Sequence, residues 1–146
     1  MKEKLIVYTD GGARGNPGPA GIGVVIKDEK GKILHAISKD IGIRTNNEAE
    51  YEAIILAFKK LKHHYGKEGV ESLEVEIRTD SQLIARQLKG VYKVKMEHLK
   101  PLFMEAYNLK TEFGKVEFVE IPREQNKEAD AMANEAMDGN GTQNLF

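Results

Sequence analysis

The 146-residue chain predicts an α/β fold, a mixed five-stranded sheet flanked by helices, on three observations. Its N-terminal part holds β-branched-rich apolar runs separated by glycine and proline turns. From residue 46 onward, segments with helical apolar spacing alternate with short strand-like ones. No internal repeat, low-complexity tract or linker interrupts the pattern, so a single domain over 1–146 is expected. A chain of this size with 40% hydrophobic residues can bury a core without disulfide or metal staples.

Leu5 to Thr9 (LIVYT) reads as a buried central strand that ends at Asp10 and Gly11-Gly12. The stretch GNPGPAG, Gly15 to Gly21, is turn material and predicts a loop. Gly21 to Lys27 and Lys32 to Lys39 are strand-like and joined by Asp28-Glu29-Lys30-Gly31, a hairpin-length connection, so the first three strands are expected to be antiparallel. Ala53, Ile54, Ala57, Phe58 and Leu61 recur at helical spacing and predict a helix from Asn46 to His64, closed by Tyr65-Gly66. Leu73 to Thr79 alternates apolar and charged residues, a strand with one wet face. Helices are predicted over Ser81 to Lys89, Met96 to Phe113 with Pro101 in its first turns, and Glu124 to Met137, with a strand over Lys115 to Ile121. The tail DGNGTQNLF is expected to fray, with Leu145-Phe146 either against the body or disordered.

Lys+Arg number 22 against 23 Asp+Glu, so no global positive field attracts nucleic acid and any such binding must use local patches. With no cysteine there is no disulfide framework, thiolate metal site or cysteine nucleophile, which leaves the chemistry to carboxylates, histidines and hydroxyls. The longest apolar runs are short and Met1-Lys2-Glu3-Lys4 opens no signal-like stretch. A soluble cytoplasmic protein with no membrane partner is expected.

Four carboxylates stand out. Glu50 begins, one turn early, the face that carries Ala53, Ile54 and Ala57, so it points to buried territory. Its neighbour Glu48 has a structural role available, because Thr45-Asn46-Asn47-Glu48 fits a capping box. Asp10 and Asp80 each follow a β-rich run and a threonine (IVYTD, VEIRTD), and adjacent parallel strands would bring them together. Asp130 lies one turn after Asn126, on one helical stripe beside Ala129 and Ala133. Each has a plainer role alone: a helix-entrance acid for Glu50, an N-cap for Asp80, an Asp-Gly turn for Asp10, a surface acid for Asp130. Gathered in one cleft they would repel one another and call for a hard divalent cation, Mg²⁺ or Mn²⁺. Two such ions about 4 Å apart would clamp the attacking and leaving oxygens of a phosphodiester displacement.

The segments TDGGARGNPGPAG (9–21), TNNEAEYEA (45–53), TDSQ (79–82) and NKEAD (126–130), in this order on strand end, helix start, strand end and helix, resemble type 1 ribonuclease H over most of the chain. The resemblance implies a sheet of order 3-2-1-4-5 and cleavage of the RNA strand of RNA/DNA hybrids, leaving 3′-hydroxyl and 5′-phosphate ends. It implies that Asp10, Glu50, Asp80 and Asp130 are the metal-binding acids, with Asp10 bridging both ions, Glu50 and Asp80 on the leaving-group side and Asp130 on the water side. Asn16, Asn46, Asn47 and Gln82 match family positions that touch the hybrid's minor groove, where the 2′-hydroxyl distinguishes RNA. The Gly11-Gly12 backbone can approach closely, and Thr45 is similar to a residue that holds a DNA-strand phosphate.

The chain departs from the family pattern in two places. LKGVYKVKMEHLK replaces the long, tryptophan-rich basic protrusion of some members. Lys89, Lys93, Lys95 and Lys100 with Tyr92 are left as a candidate phosphate patch, and low processivity is expected. The segment VEIPREQN lacks the family's mobile histidine, so Arg123 or Glu124 is the candidate substitute. His35, His63, His64 and His98 fall outside the acid constellation, and the five methionines and five phenylalanines are read as core. A monomer without an obligatory protein partner is the default. Two other readings stand beside the hybrid nuclease. A different nuclease on the same fold would cut duplex DNA, and a silent binding module would bind hybrids without cutting.

Overall fold

Parallel pairing of β1 (Glu3–Ala13) with β4 (Leu73–Thr79) sets the centre of the sheet. In the computed structural model, which describes residues 3–139, β1 also pairs antiparallel with β2 (Gly18–Asp28), and β2 with β3 (Ile33–Arg44). β5 (Lys115–Glu120) joins β4 in parallel, and the order is β3-β2-β1-β4-β5, as the family resemblance implies. The carboxyl ends of β1 and β4 therefore lie side by side, with Thr9 opposite Thr79.

Helices cover both faces. α1 (Asn46–Val70) packs on β1 and β2 with Tyr51, Ile54, Phe58 and Leu61 fully buried, and α3 (Lys100–Lys110) lies against α1. The Phe58 ring sits 5.1 Å from that of Phe113 and edge-on to Phe118, an aromatic cluster at the base of this layer. On the other face α4 (Lys127–Met137) lays Ala129, Ala133 and Ala136 on β2, and this small-residue stripe allows close contact. α2 (Gln82–Leu88) follows β4, capped by the Ser81 hydroxyl, which accepts from the Ile84 amide.

Several boundaries differ from expectation. β2 starts at Gly18 rather than Gly21, leaving only 14–17 as loop. Pro19 has no donor to offer, yet its carbonyl accepts from the Arg14 amide at 2.8 Å, so proline is accommodated at the strand's start. α1 reaches Val70, but Gly66 (φ 78°, ψ 165°) breaks it where Tyr65-Gly66 was expected to end it, a conformation glycine adopts without a Cβ clash. The predicted Met96–Phe113 helix divides into a 3₁₀ turn over Glu97–Leu99 and α3, because Pro101, lacking an N–H, fits only a helix's first turn. The last helix begins at Lys127 after a 3₁₀ turn over Arg123–Gln125. The expectation for Leu145-Phe146 and the fraying of 140–146 lie outside the described residues. Among the described residues no helix is long and apolar enough to cross a membrane.

Candidate active site

Asp10 and Asp80 stand one residue beyond the Thr9–Thr79 pair on adjacent strands. Thr9 and Thr79 are themselves buried, and Ser81 N–H donates to the Thr79 hydroxyl, so β4 ends in a fixed turn that carries Asp80. Ser81, not Asp80, caps α2, which leaves the Asp80 carboxylate for the site.

Glu50 enters from the first turns of α1, where the capping box forms in full. The Thr45 hydroxyl accepts from Glu48 N–H at 3.1 Å and Thr45 N–H donates to Glu48 Oε1 at 2.8 Å. Glu48 is thereby occupied, and Glu50 turns inward to accept the Gly11 N–H at 2.9 Å. A Cβ on Gly11 would lie 2.7 Å from the Glu50 nitrogen and closer still to the Ala49 carbonyl, so only glycine lets α1 approach β1 this closely.

Carboxylate oxygens of Asp10, Glu50 and Asp80 all lie within 4.8 Å of one another. They line a cavity of about 340 Å³ with Gly11, Gly12, Asn46, Arg123, Asp130 and Met137. Asp10 is only 8% exposed. Burial, the charge of Asp80 and a hydrogen bond with Asp130 push its carboxyl up to about 8, eased by the Gly11 amide. Burial and the charges of Asp10 and Asp80 hold Glu50 well above the usual carboxylate range, opposed by Gly11 N–H and the Arg123 guanidinium. These acids resist ionising beside one another, and their donors are all oxygen. The set fits a hard divalent cation, which would relieve both the repulsion and the desolvation.

Asn126 and Asp130 lie one turn apart as expected, Asp130 N–H donating to the Asn126 carbonyl at 3.0 Å, but Asn126 stands at the N-cap rather than inside the helix. Asn126 precedes α4 with φ −116°, is 1% exposed, and donates Nδ2 to the Thr9 carbonyl at 2.9 Å and to Asp80 Oδ2 at 3.3 Å. Its Oδ1 is buried without a partner among the described residues. Asp130 is exposed on the first turn of α4, its carboxylate held by Asn134 Nδ2 at 3.3 Å.

One of the four predicted amides reaches the acids. Asn46 lines the cavity, and its Oδ1 accepts from Ala13 N–H at 2.8 Å, while Asn16 Oδ1 accepts from Asn46 N–H at 3.0 Å. Both oxygens are committed to shaping the loop, and no described residue accepts from either NH₂. Asn47 sits half-buried in the first turn of α1, and the exposed Gln82 turns its amide oxygen to Arg86 Nη2 at 2.8 Å; neither lines the cavity. Of the two candidates for the missing histidine, Arg123 reaches the acids and Glu124 does not. The expected lysine cluster is divided. Lys93 and Lys95 line an apolar groove of about 420 Å³ with Tyr92 and Gln87, Lys89 lines a separate one with Lys110 and Val116, and Lys100 pairs with Glu97.

Sequence reasoning missed Met137, read as core but placed at the cavity, and Asn134. The available signal was spacing, since 130, 134 and 137 fall on one helical stripe.

A reverse transcriptase-like family model matches residues 8–136. LC11-RNase H1, isolated from compost by a metagenomic approach, is 55% identical, superposes with a TM-score of 0.88, and aligns over 95% of this chain and 98% of its own. The chain belongs to the type 1 ribonuclease H family. Within the ribonuclease H family, ribonuclease HI of Halobacterium salinarum is 39% identical over 135 residues, 92% of this chain and 65% of that protein. The bifunctional protein Rv2228c of Mycobacterium tuberculosis is 37% identical over 136 residues, 92% of this chain but 36% of that protein, so the chain spans about a third of its mycobacterial relative. LC11-RNase H1 is also known in complex with an RNA/DNA hybrid, and that structure matches with a TM-score of 0.87 over 92% of this chain.

Proposed function

We propose that the chain is an endoribonuclease that hydrolyses the RNA strand of RNA/DNA hybrids with two divalent ions, Mg²⁺ or Mn²⁺, and leaves 3′-hydroxyl and 5′-phosphate ends. The observation that carries this reading is the convergence of Asp10, Glu50 and Asp80 oxygens within 4.8 Å, with Asp130 on the same cavity. The hybrid complex of LC11-RNase H1, at 55% identity, supports the substrate class.

Asp10, Glu50, Asp80 and Asp130 would hold the ions. When bound, these supply Lewis-acid stabilisation of charge on the scissile phosphodiester and lower the pKa of water. The protein's share is to hold the carboxylates. Gly11 N–H fixes Glu50, Asn126 fixes Asp80 and Asn134 fixes Asp130. Arg123 places a cation at the acids, on the segment where other family members carry histidine, and favours product phosphate there.

The NH₂ groups of Asn16 and Asn46, with Asn47, Gln82 and the Gly11-Gly12 backbone, answer acceptors in the minor groove, the 2′-hydroxyl among them. The Thr45 hydroxyl accepts within the capping box and keeps its own proton to donate to a DNA-strand phosphate. Lys93 and Lys95 add phosphate contacts further along the duplex. The protein acts in the cytoplasm as a monomer without an obligatory protein partner.

The test is cleavage of an end-labelled RNA/DNA hybrid beside RNA/RNA, DNA/DNA and single-stranded RNA, in Mg²⁺, Mn²⁺ or EDTA, with Asp10→Asn in parallel. The expected result is internal cuts in the hybrid's RNA strand alone, with 3′ ends that a polymerase extends, abolished by EDTA and by the substitution. Cleavage of duplex DNA, or hybrid binding without cleavage in either metal, overturns it.

A further inference from the structure

Met137 ends α4 at the acid cavity and is half-buried. Among the described residues that line this cavity, it alone brings an apolar side chain; the others are acids, glycines, an asparagine and an arginine. It lies against Gly12: a Cβ there would stand 3.4 Å from Met137 Cε and 3.8 Å from its Sδ, with Asn46 Oδ1 at 3.9 Å. Gly12 thus forms the floor between a thioether and an amide. The end of α4 is also pinned, because Asp138, next in sequence, pairs with Arg14 at 2.5 Å, on the loop that carries Asn16. The helix terminus, the loop and the start of α1 form one continuous rim around Gly12.

An apolar residue at an exposed helix end gains little from burial unless something else covers it. The chemistry beside it suits a sugar. A furanose offers C–H groups that pack on an apolar surface and hydroxyls that need hydrogen-bond partners, and Met137 and Asn46 supply the two sides. An unbranched thioether adapts its shape to such a surface.

We propose that Met137 is a substrate-contact residue that packs against a ribose of the RNA strand, beside the Asn46 amide already assigned to a minor-groove acceptor. The inference rests on the hybrid-cleaving reading above. Because the contact is to sugar and not to base, its effect is independent of sequence.

Steady-state cleavage of two hybrids of unrelated sequence tests it, with wild type, Met137→Ala, Met137→Gln and Met137→Leu, and thermal melts as the control for folding. Expected are a rise in KM of about five-fold for Met137→Ala and Met137→Gln on both hybrids, with kcat within about two-fold of wild type, and recovery of KM by Met137→Leu. The glutamine variant keeps the chain length and removes the apolar character, so it separates contact chemistry from bulk. An unchanged KM, a KM that falls on truncation, or an effect confined to one sequence overturns the inference while wild-type cleavage leaves the parent reading standing. Failure of the wild type to cut any hybrid overturns the parent reading, and this one with it.

Discussion

Thr9 and Thr79 are register partners on adjacent parallel strands, and the residue that follows each is a carboxylate of the site. The spacing of Asp10 and Asp80 is thus a property of the ladder rather than of a flexible loop. The ladder also explains why Asp10 is hard to ionise, since the strand that buries it brings a second acid alongside.

Metal-free stability should therefore fall as pH rises. Asp10 goes from 3.8 in an ordinary setting to about 8 in the folded protein, so the native state holds this proton more tightly. The stabilisation is full below pH 3.8 and is lost as pH climbs through about 8, with Glu50 shifted in the same direction. In EDTA at alkaline pH, Asp10→Asn should melt at least about 3 °C above wild type, and the gap should close in acid. Adding Mg²⁺ or Mn²⁺ should raise the wild type and not the variant. Melts that are flat with pH would contradict the burial argument.

Asn126 should act through Asp80. Asn126→Ala removes the amide that ties the Asp80 carboxylate to β1, and a cost of about 10–100-fold in activity or in the metal concentration for half-maximal activity is expected. Asn126→Asp adds a like charge next to Asp80 and should be worse than alanine. A titration of activity against Mn²⁺ reads both; identical metal dependence in wild type and Asn126→Ala would remove the positioning role.

The lysines should separate by salt dependence. Lys93→Ala and Lys95→Ala should weaken hybrid binding and each reduce the slope of log affinity against log salt by about 1. Lys89→Ala, in its separate groove with Lys110, should leave the slope alone. Binding isotherms between low and moderate salt measure this, and equal slopes for all three variants would dismiss the patch.

Tyr51 and Gln87 make a buried pair, the phenol hydroxyl donating to Gln87 Oε1 at 2.6 Å. Tyr51→Phe leaves that oxygen unsatisfied in the core and should cost about 1–3 kcal/mol by chemical denaturation. Activity of the folded fraction should be retained.

What the sequence disclosed follows the range of the forces involved. The Thr45–Glu48 capping box, the Leu73–Thr79 alternation and the inward face of Glu50 are local patterns, and the structure contains them. Asp10 and Asp80 were legible because each closes a short apolar run. The start of α4 at Lys127 was not legible, because Asn126 at its N-cap answers the Thr9 carbonyl, 117 positions away in the chain, which no local rule registers. The early start of β2 has the same origin, since pairing with β3, Gly18 opposite Arg44 and Pro19 opposite Ile43, overrides the turn preference of Gly18-Pro19. Met137 was hidden because an apolar residue on a helix ordinarily reads as core.

Asn126 and Asp130 both belong to the last of the described segments that pack on the sheet. A nascent chain that has emerged only as far as β5 has neither the amide that donates to Asp80 nor the fourth carboxylate. On the proposed reading, the site is complete only once α4 has emerged during translation. A single proteolytic nick between β5 and α4 that releases that helix would, on the same reading, abolish hydrolysis.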